Sequence, residues 1–508
     1  MFKIKSISIT LAIFFAGISQ AQIEGANLFS TNQVVSIDLD FPQSDFWQQL
    51  QDNYENIDLT GSVYIPAQLT LTDATGTYNF DSVGVRLKGN SSDFHPGDKK
   101  AFKIDFNKFK VGQNYDGLKK LNFSNCFKDP TFMREKLFFD LCRTHGVPAP
   151  RANYANVKYN GEDWGFYTMI EQIDDQFLDW RIGNDSGNLF KAGSNFSGGD
   201  GEANLVYLGL DQSLYESSYE LKSNEETNDW YDLIDFIYFL NSSSDAEFEL
   251  GLPSRLNLGP FLSSVAFNNL FSNLDTYTLS ARNYYLYHNM STDQWEWIKW
   301  DANETFGSYA FGVQTPMTNL PIDFYQGQRP LLERVFENEL FMNQYTSEIC
   351  LLLNTVFNPE YLNPIIDNYK ELIQQYVYAD NNKMFSNNDF DTNINSNLGG
   401  PGGTIYGLKS FIQARYNYLS SSVNCNAFAS LSSFIPEGLS AYPNPTTGSL
   451  ILNGDHLYPL PYELFSLDGK CILRGELLHA EESIDISHLS SEMYHLKVGN
   501  KWIKVLKQ

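Results

Sequence analysis

The chain has 508 residues, which is too long for one compact core, so two or three domains are expected. Its 61 acidic and 35 basic side chains give a net charge of −26, and a chain this acidic repels the phosphate backbone of nucleic acids. Nucleic-acid binding is therefore not expected. After the N-terminus no run approaches ~20 consecutive apolar residues, so no membrane-spanning helix is expected in the mature chain.

The N-terminus has the three regions of a secretory signal peptide. Two lysines precede an apolar run over residues 7–18, and residues 19–21 (SQA) form a small-residue exit. The apolar run is about a dozen residues, which is short for a bilayer span, although a retained anchor is the alternative. We therefore expect residues 1–21 to be a signal peptide and the mature protein to be secreted or held at the cell surface.

Strand signals dominate the first half of the chain, after an N-terminal extension predicted over residues 22–60. Alternating apolar and polar residues bounded by turn residues predict strands over residues 62–71, 78–87 and 100–106. Asn160-Gly161 between two further alternating runs predicts a β-hairpin over residues 154–171. A helix is predicted from Asp129-Pro130 through Arg143, because proline suits the first helical position.

Helical periodicity dominates the second half. It predicts helices over residues 228–241, 258–274, 329–353, 358–377 and 405–421. One β-hairpin interrupts them over residues 283–300, and the Asn-, Gly- and Pro-rich segment 385–403 is predicted to be a loop or lid. A β-rich half followed by a helical half with its own hairpin predicts an α+β fold with two lobes and a cleft between them.

The C-terminal part reads as a separate unit. Residues 432–441 are predicted to be a linker and residues 442–508 a small β-sandwich. Its segments 442–448 (YPNPTTG), 466–470 (SLDGK) and 499–501 (GNK) resemble the C-terminal sorting domain of the bacterial type IX secretion system. The resemblance implies handling by the type IX secretion machinery and transient outer-membrane passage, usually followed by cleavage of the domain. An ordinary adhesive β-domain is the alternative.

A basic island stands out in this acidic chain. It comprises Arg86, Lys88, Lys99, Lys100, Lys103, Lys108, Lys110, Lys119 and Lys120. Such a cluster suits an anionic ligand, with a solvated surface as the alternative. The turn at residues 86–92 (RLKGNSS) could present backbone N–H groups and hydroxyls to an anion, although it lacks the Walker pattern. Lys100 or Lys103 could reach a phosphate as a point charge.

Asp275, Asn283 and Asp301 are the candidate base and metal ligands. Asp301 follows a predicted strand and precedes a turn, a common place for a hard cation. Mg²⁺ prefers one or two carboxylates together with phosphate oxygens and water. In phosphoryl transfer one Asp orients the acceptor hydroxyl, while an Asn and a second Asp hold the metal. No G-x-S-x-G, H-E-x-x-H or Cys/His arrangement favours a secreted hydrolase instead.

From residue 83 to residue 307 the chain resembles the spore-coat CotH kinase family, atypical secreted kinases with a protein-kinase-like fold. The resemblance is carried, in the family's order, by segments 86–92 (RLKGNSS), 100–104 (KAFKI), 120–123 (KLNF), 133–137 (MREKL), 146–150 (GVPAP), 160–161 (NG), 165–167 (GFY), 171–174 (EQID), 283–287 (NYYLY) and 300–307 (WDANETFG). It implies a two-lobed, atypical kinase-like domain over residues 61–431.

The same resemblance implies ATP and Mg²⁺ in the cleft. Asp275 would be the base-like residue, Asn283 and Asp301 would hold the metal, and Glu135 would pair with a phosphate-binding lysine of the strand at residues 100–103. The nucleotide-binding set would be Arg86, Lys88, Ser91, Lys100, Lys103, Glu135 and Glu171, the last on the strand passing the adenine. Asn303 departs from the acidic residue common at that position, which puts a second metal in doubt.

The sequence thus predicts a secreted atypical kinase that transfers the γ-phosphate of ATP to an extracellular or surface protein, whose identity it does not reveal. Because little ATP is met outside the cytoplasm, a non-catalytic nucleotide-binding or adhesive surface module is the alternative. The five cysteines lack C-x-x-C spacing and do not indicate a zinc site. A Cys350–Cys425 disulfide would close the helical region, but the sequence does not fix the pairing.

Overall fold

A computed structural model describes residues 23–29, 33–89, 91–193, 202–400, 403–425, 440–453, 460–466, 469–477, 481–498 and 501–507. The predicted signal peptide and most of the predicted linker lie outside these residues. The described chain mixes helices and strands and ends in a β-rich tail, which confirms the predicted α+β class. No helix in the described ranges is long and apolar enough to cross a membrane.

The first part of the fold is a closed β-barrel. Its strands are β1 (Val34–Asp40), β2 (Ile65–Asp73), β3 (Gly76–Leu87), β4 (Phe102–Asp105), β5 (Lys120–Ser124), β6 (Ala152–Tyr159) and β7 (Glu162–Glu171). They pair in the order β1-β2-β3-β4-β5-β7-β6, and β1 closes the ring by running parallel to β6. Alternate side chains of β1 and β2 point into the barrel core, as a half-buried strand requires. The predicted strands and hairpin are confirmed.

Two short helices, α1 (Phe46–Glu55) and α2 (Ile57–Thr60), precede β2, so the segment predicted as an N-terminal extension supplies both α1 and the closing strand β1. Short 3₁₀ turns lie at Ala26–Phe29, Ser91–Phe94, Gln212–Leu214 and Met317–Asn319. Helix α1 packs against β2 and β3.

The second part is mainly helical and surrounds a four-stranded sheet. Its helices are α3 (Arg134–Thr144), α4 (Asp175–Ile182), α5 (Tyr231–Ser242), α6 (Asp245–Arg255), α7 (Leu258–Leu270), α8 (Pro330–Glu337), α9 (Glu339–Thr355), α10 (Pro359–Ala379), α11 (Asn387–Asn395) and α12 (Leu408–Ser422). The sheet contains β8 (Leu189–Ala192), β9 (Tyr219–Leu221), β10 (Tyr284–Asn289) and β11 (Gln294–Lys299) in the order β11-β10-β8-β9. A small hairpin, β12 (Leu398–Gly400) and β13 (Gly403–Ile405), precedes α12.

The structure differs from two of the predicted helices, because side chains that bind the backbone determine where each helix begins. Helix α3 begins at Arg134 rather than at Pro130, because the Asp129 carboxylate accepts the backbone N–H groups of Thr131 and Arg134, both at 2.9 Å, and holds a loop. The helix predicted over residues 329–353 is broken at Asn338. Its side chain accepts the N–H of Phe341 at 3.0 Å and starts α9 as an N-cap.

The predicted loop over residues 385–403 contains a helix that was not expected. Ser386 and Asp389 form a reciprocal capping box that starts α11. Helices α4 and α6 and strands β8 and β9 were also not predicted. The Cys350–Cys425 disulfide, with a Cα–Cα distance of 5.5 Å, confirms that pairing and ties α9 to the end of α12.

The C-terminal tail is a two-sheet β-sandwich with a core of its own. One sheet contains β14 (Ser440–Tyr442), β15 (Ser449–Asn453) and β18 (Glu481–Asp485), and the other contains β16 (Leu460–Ser466), β17 (Cys471–Leu477), β19 (Met493–Val498) and β20 (Lys501–Leu506). Apolar side chains from both sheets, including Leu450, Leu464 and Val505, form one buried cluster. The tail therefore has its own hydrophobic core.

Candidate functional site

Three residues of the basic island, Arg86, Lys88 and Lys103, lie close together beside strands β3 and β4. Arg86 in β3 lies opposite Lys103 in β4, and Lys88 follows β3 directly. The pKa of Lys88 is lowered to about 8, mainly by burial; the carboxylates of Asp301 and Glu135 raise it, and the charges of Lys191 and Arg86 lower it. Burial, and then Arg86, also lower the pKa of Lys103. Cations crowded in this way favour an anionic ligand.

Three side chains, Asp275, Asn283 and Asp301, lie at the open end of the β10–β11 hairpin, near these cations. Asn283 precedes β10 and Asp301 follows β11 by one residue, and both adopt positive φ angles, 60° and 51°, which Asn and Asp tolerate. The side chain of Asn283 donates to the carboxylate of Asp275 at 3.1 Å and to its backbone oxygen at 2.9 Å. Burial, and then the carboxylate of Asp275, raise the pKa of Asp301 to about 6.

Glu135, in the first turn of α3, completes the site. Burial, and then the charge of Asp301, raise its pKa, while Lys88 lowers it. One carboxylate oxygen accepts the N–H of Ala302 at 3.4 Å, and the other is buried without a partner among the described residues. Lys88, Glu135 and Asp301 therefore form one charge cluster assembled from the barrel, from α3 and from the hairpin.

This cluster lies within a region that a protein-family comparison matches. The family model described as CotH kinase protein matches residues 85–419, which is more than half of the chain. The chain belongs to this family. We call the matched region the CotH domain.

Two further matches support the resemblances seen in the sequence. The inner spore coat protein H of Bacillus subtilis (strain 168) is 28% identical over 297 residues, which are 58% of this chain and 77% of that protein. A second family model, described as a secretion system C-terminal sorting domain, matches residues 440–508. We call this region the sorting domain.

The lysine beside Glu135 in the CotH domain is Lys88 rather than Lys100 or Lys103. The ammonium of Lys100 donates to the backbone oxygens of Asp93 and, at 3.2 Å, of His95. Lys103 remains near the cluster but donates to the side-chain oxygen of Gln172 at 2.7 Å. The strand at residues 100–103 thus does not supply the partner of Glu135.

Two other predicted nucleotide-binding residues, Glu171 and Arg86, have neighbours within the protein. The carboxylate of Glu171 is buried, forms an ion pair with Arg151 at 2.5 Å and accepts the indole N–H of Trp180 at 2.8 Å. Arg151 and Trp180 therefore already neutralise and hydrogen-bond the carboxylate that was predicted to belong to the nucleotide-binding set. The guanidinium of Arg86 lies 5.4 Å from the ring centre of Tyr64. The side chain of Ser91 lies outside the described residues.

Three charged residues of the site, Glu304, Lys128 and Lys191, were not predicted from the sequence. Glu304 is 3% exposed and accepts from Lys128 at 2.8 Å, and burial raises its pKa to about 7. Its position three residues after Asp301 was a usable signal. Lys191, whose charge acts on both Lys88 and Asp301, lies in β8, a strand that was not predicted.

The oxygen donors of the site could hold a divalent cation together with a polyphosphate. In the part of the chain that the structure describes, no group of three or more His, Cys, Asp and Glu residues is placed to hold a metal ion alone. Mg²⁺ needs only one or two carboxylates when phosphate oxygens and water complete its shell. Asp301 and Asn283 supply hard oxygen donors, and Glu135 and Glu304 each carry a buried carboxylate oxygen that has no partner within the described ranges.

Proposed function

We propose that the chain is an exported kinase of the CotH family that transfers the γ-phosphate of ATP to an extracellular or surface protein. In this proposal the barrel and the helical part are the two lobes of a protein-kinase-like fold. The observation that carries it is the charge cluster of Lys88, Glu135 and Asp301, because a lysine, its glutamate and a metal-binding aspartate are the parts that phosphoryl transfer requires.

Lys88 would bind the phosphates, and Glu135 would orient its ammonium. Arg86, Lys103 and Lys191 would add positive charge around the same anion. Asp301 and the side-chain oxygen of Asn283 would hold Mg²⁺, which when bound neutralises phosphate charge. The amide nitrogen of Asn283 is already used by Asp275, so its oxygen is left for this purpose.

Asp275 would position the acceptor hydroxyl and take its proton. Burial raises the pKa of this carboxyl, which makes it a better proton acceptor than an exposed aspartate. The hydrogen bond from Asn283 fixes the carboxylate next to Asp301. The acceptor hydroxyl would therefore approach close to the metal-binding side of the cleft.

The Asp275→Asn variant tests this assignment. We expect phosphoryl transfer to fall by at least about 10²-fold, the usual contribution of a general base, with nucleotide affinity nearly unchanged. The measurement is incorporation of label from γ-labelled ATP into the protein itself or into extracellular proteins. Asp163→Asn, an exposed aspartate of the barrel, is the matched control. Transfer at the wild-type rate by Asp275→Asn would contradict the role, and binding without transfer by the wild type would favour the non-catalytic surface module.

The sorting-domain match supports export through the type IX secretion machinery. Because the sorting domain has its own core, deletion of residues 442–508 should leave the CotH domain folded but held in the periplasm. Immunoblots of periplasm and medium, for full-length and truncated chains expressed at equal levels, measure this. Equal amounts of both chains in the medium would contradict the predicted route.

A further inference from the structure

A cavity of about 550 Å³ lies where the sorting domain meets the CotH domain. From the CotH domain it is lined by the C-terminal turn of α4 and by the connection between β10 and β11, and from the sorting domain by residues 470–474. The two domains are in close contact beside it. A side chain at Gly146 would meet the rings of Phe465 at 3.4 Å and Trp502 at 3.8 Å. The volume is in the range of small-molecule sites in proteins.

Arg181 in the last turn of α4 lines this cavity and has no hydrogen-bond or ion-pair partner among the described residues. Its side chain is 4% exposed, and its Nε and Nη2 atoms are buried and unpaired. The other buried arginines of the described chain all donate to carboxylates or carbonyl oxygens; they are Arg134, Arg143, Arg151, Arg329 and Arg415. Arg181 is therefore unusual within this molecule.

An unpaired buried guanidinium needs an external partner. Its charge is permanent, so burial without a hydrogen-bonding partner destabilises the folded chain. The thiol of Cys471, which also lines the cavity, and the carboxylates of Glu463 and Glu296 act on the charge of Arg181, but none of them forms an ion pair or a hydrogen bond with it. Glu296 is instead bound by the amide groups of Asn257 at 2.9 Å and Asn289 at 3.3 Å. The guanidinium of Arg181, a residue that lines the cavity, is thus left without a partner among the described residues.

The charges around the cavity favour an anion. Lys470 and Arg474 add two cations from the sorting domain. Two acidic residues also line it, but the side chain of Asp179 is exposed, and that of Glu24 lies against Gly117, where an added Cβ would be 2.5 Å from its Cγ. The fork of N–H donors on a guanidinium matches the two oxygens of a carboxylate or phosphate group.

We propose that Arg181 binds the oxyanion group, carboxylate or phosphate, of a small organic molecule in this cavity. Apolar side chains of Ile182, Ile472 and Leu473 line the same space and suit the carbon skeleton of such a ligand. Because both domains line the cavity, the bound anion links the sorting domain to the CotH domain. This site is separate from the charge cluster of the proposed kinase and does not depend on it.

Thermal unfolding of the intact chain, with its sorting domain, tests the proposal. Sodium phosphate and sodium acetate are titrated separately, each against sodium chloride at matched ionic strength. We expect at least one of the two anions to raise the melting temperature beyond the chloride effect, because a ligand that binds only the folded state stabilises it. The response to phosphate against acetate then identifies the oxyanion.

Arg181→Gln should weaken binding of the responding anion, with a dissociation constant at least tenfold higher than that of the wild type. Arg255→Gln, which removes an exposed arginine paired with Asp235, is the matched control and should respond as the wild type does. If Arg181→Gln does not fold, Arg181→Lys, which keeps the charge but loses the fork, should still bind more weakly, as measured by equilibrium dialysis with the radiolabelled anion. Wild-type unfolding that responds equally to phosphate, acetate and chloride would overturn the proposal, and so would an anion response unchanged in the Arg181 variants.

Discussion

Replacement of Asp301 by alanine is expected to abolish Mg²⁺-dependent nucleotide binding. Its carboxylate lies at the meeting point of Lys88, Glu135 and Asp275, where a metal ion would join the protein to the phosphates. Loss of that link should remove several kcal/mol of charge neutralisation. A residue that only caps the turn before Phe306 would behave differently, since its loss would cost about 1 kcal/mol of stability and leave nucleotide binding intact.

The effect of the substitution on the stability of the ligand-free chain distinguishes a metal-binding role of Asp301 from a turn-capping role. Burial raises the pKa of Asp301 in the folded chain to about 6, so its favourable contribution exists at low pH and is lost as the pH rises through that value. At neutral pH the buried carboxylate therefore does not stabilise the ligand-free fold. Asp301→Asn, which keeps a residue that tolerates the φ of 51° and removes the buried charge, should unfold at or above the wild-type temperature at neutral pH without ligand and still lose the response to Mg·ATP.

Thermal-shift titrations with and without Mg·ATP measure this difference. Asp293→Ala is a close control, because Asp293 also has a positive φ, 56°, and lies in the same hairpin but is exposed at its far end. This variant should keep the full nucleotide response. A wild type that shows no shift at millimolar Mg·ATP would contradict the kinase proposal, whereas a retained shift in Asp301→Ala would contradict only the metal role of Asp301.

The sequence predicted those site residues best that one local element, such as a hairpin, brings together. Asn283 and Asp301 flank one hairpin, so its register brings them to the same end. Which lysine lies beside Glu135 was harder to predict, because it depends on where each strand begins and ends. Lys88 lies just past the end of β3 and faces the cluster, whereas Lys100 precedes β4 and is held by the carbonyl oxygens of the neighbouring turn.

The fold, too, was predicted well where it depends on residues close in the sequence and poorly where it depends on residues far apart. Apolar periodicity predicted most barrel strands and long helices. The errors at the starts of α3, α9 and α11 came from single side chains, Asp129, Asn338 and Ser386, that bind the backbone. Closure of the barrel through parallel pairing of β1 with β6 joins segments more than a hundred residues apart. No local pattern encodes such a pairing.

A buried ion pair between Lys99 and Asp380 is a second feature that local patterns cannot reveal. The two residues are 281 positions apart, and their charged groups are 2.7 Å apart with side chains 0% and 1% exposed. Lys99 precedes β4 of the barrel, and Asp380 ends α10. The Asp380 carboxylate also accepts the N–H of Phe166 in β7 at 3.0 Å. The pair therefore fastens the helical part to the barrel.

Asp380→Asn should destabilise the fold by at least about 3 kcal/mol, because it leaves the ammonium of Lys99 buried without a countercharge. The asparagine oxygen can still accept from Phe166, while the amide NH2 replaces the oxygen that accepts the N–H of Asn382 at 2.8 Å, so the loss includes that hydrogen bond as well as the charge. Adding Lys99→Met should recover most of the stability, since an apolar side chain suits the surrounding rings of Phe132 and Tyr167. The exposed pair Lys409–Asp367 is the control, and Asp367→Asn should cost less than about 1 kcal/mol. Urea unfolding of the wild type and of the three variants measures these differences. An Asp380→Asn variant as stable as Asp367→Asn would show that the buried pair does not hold the two parts together.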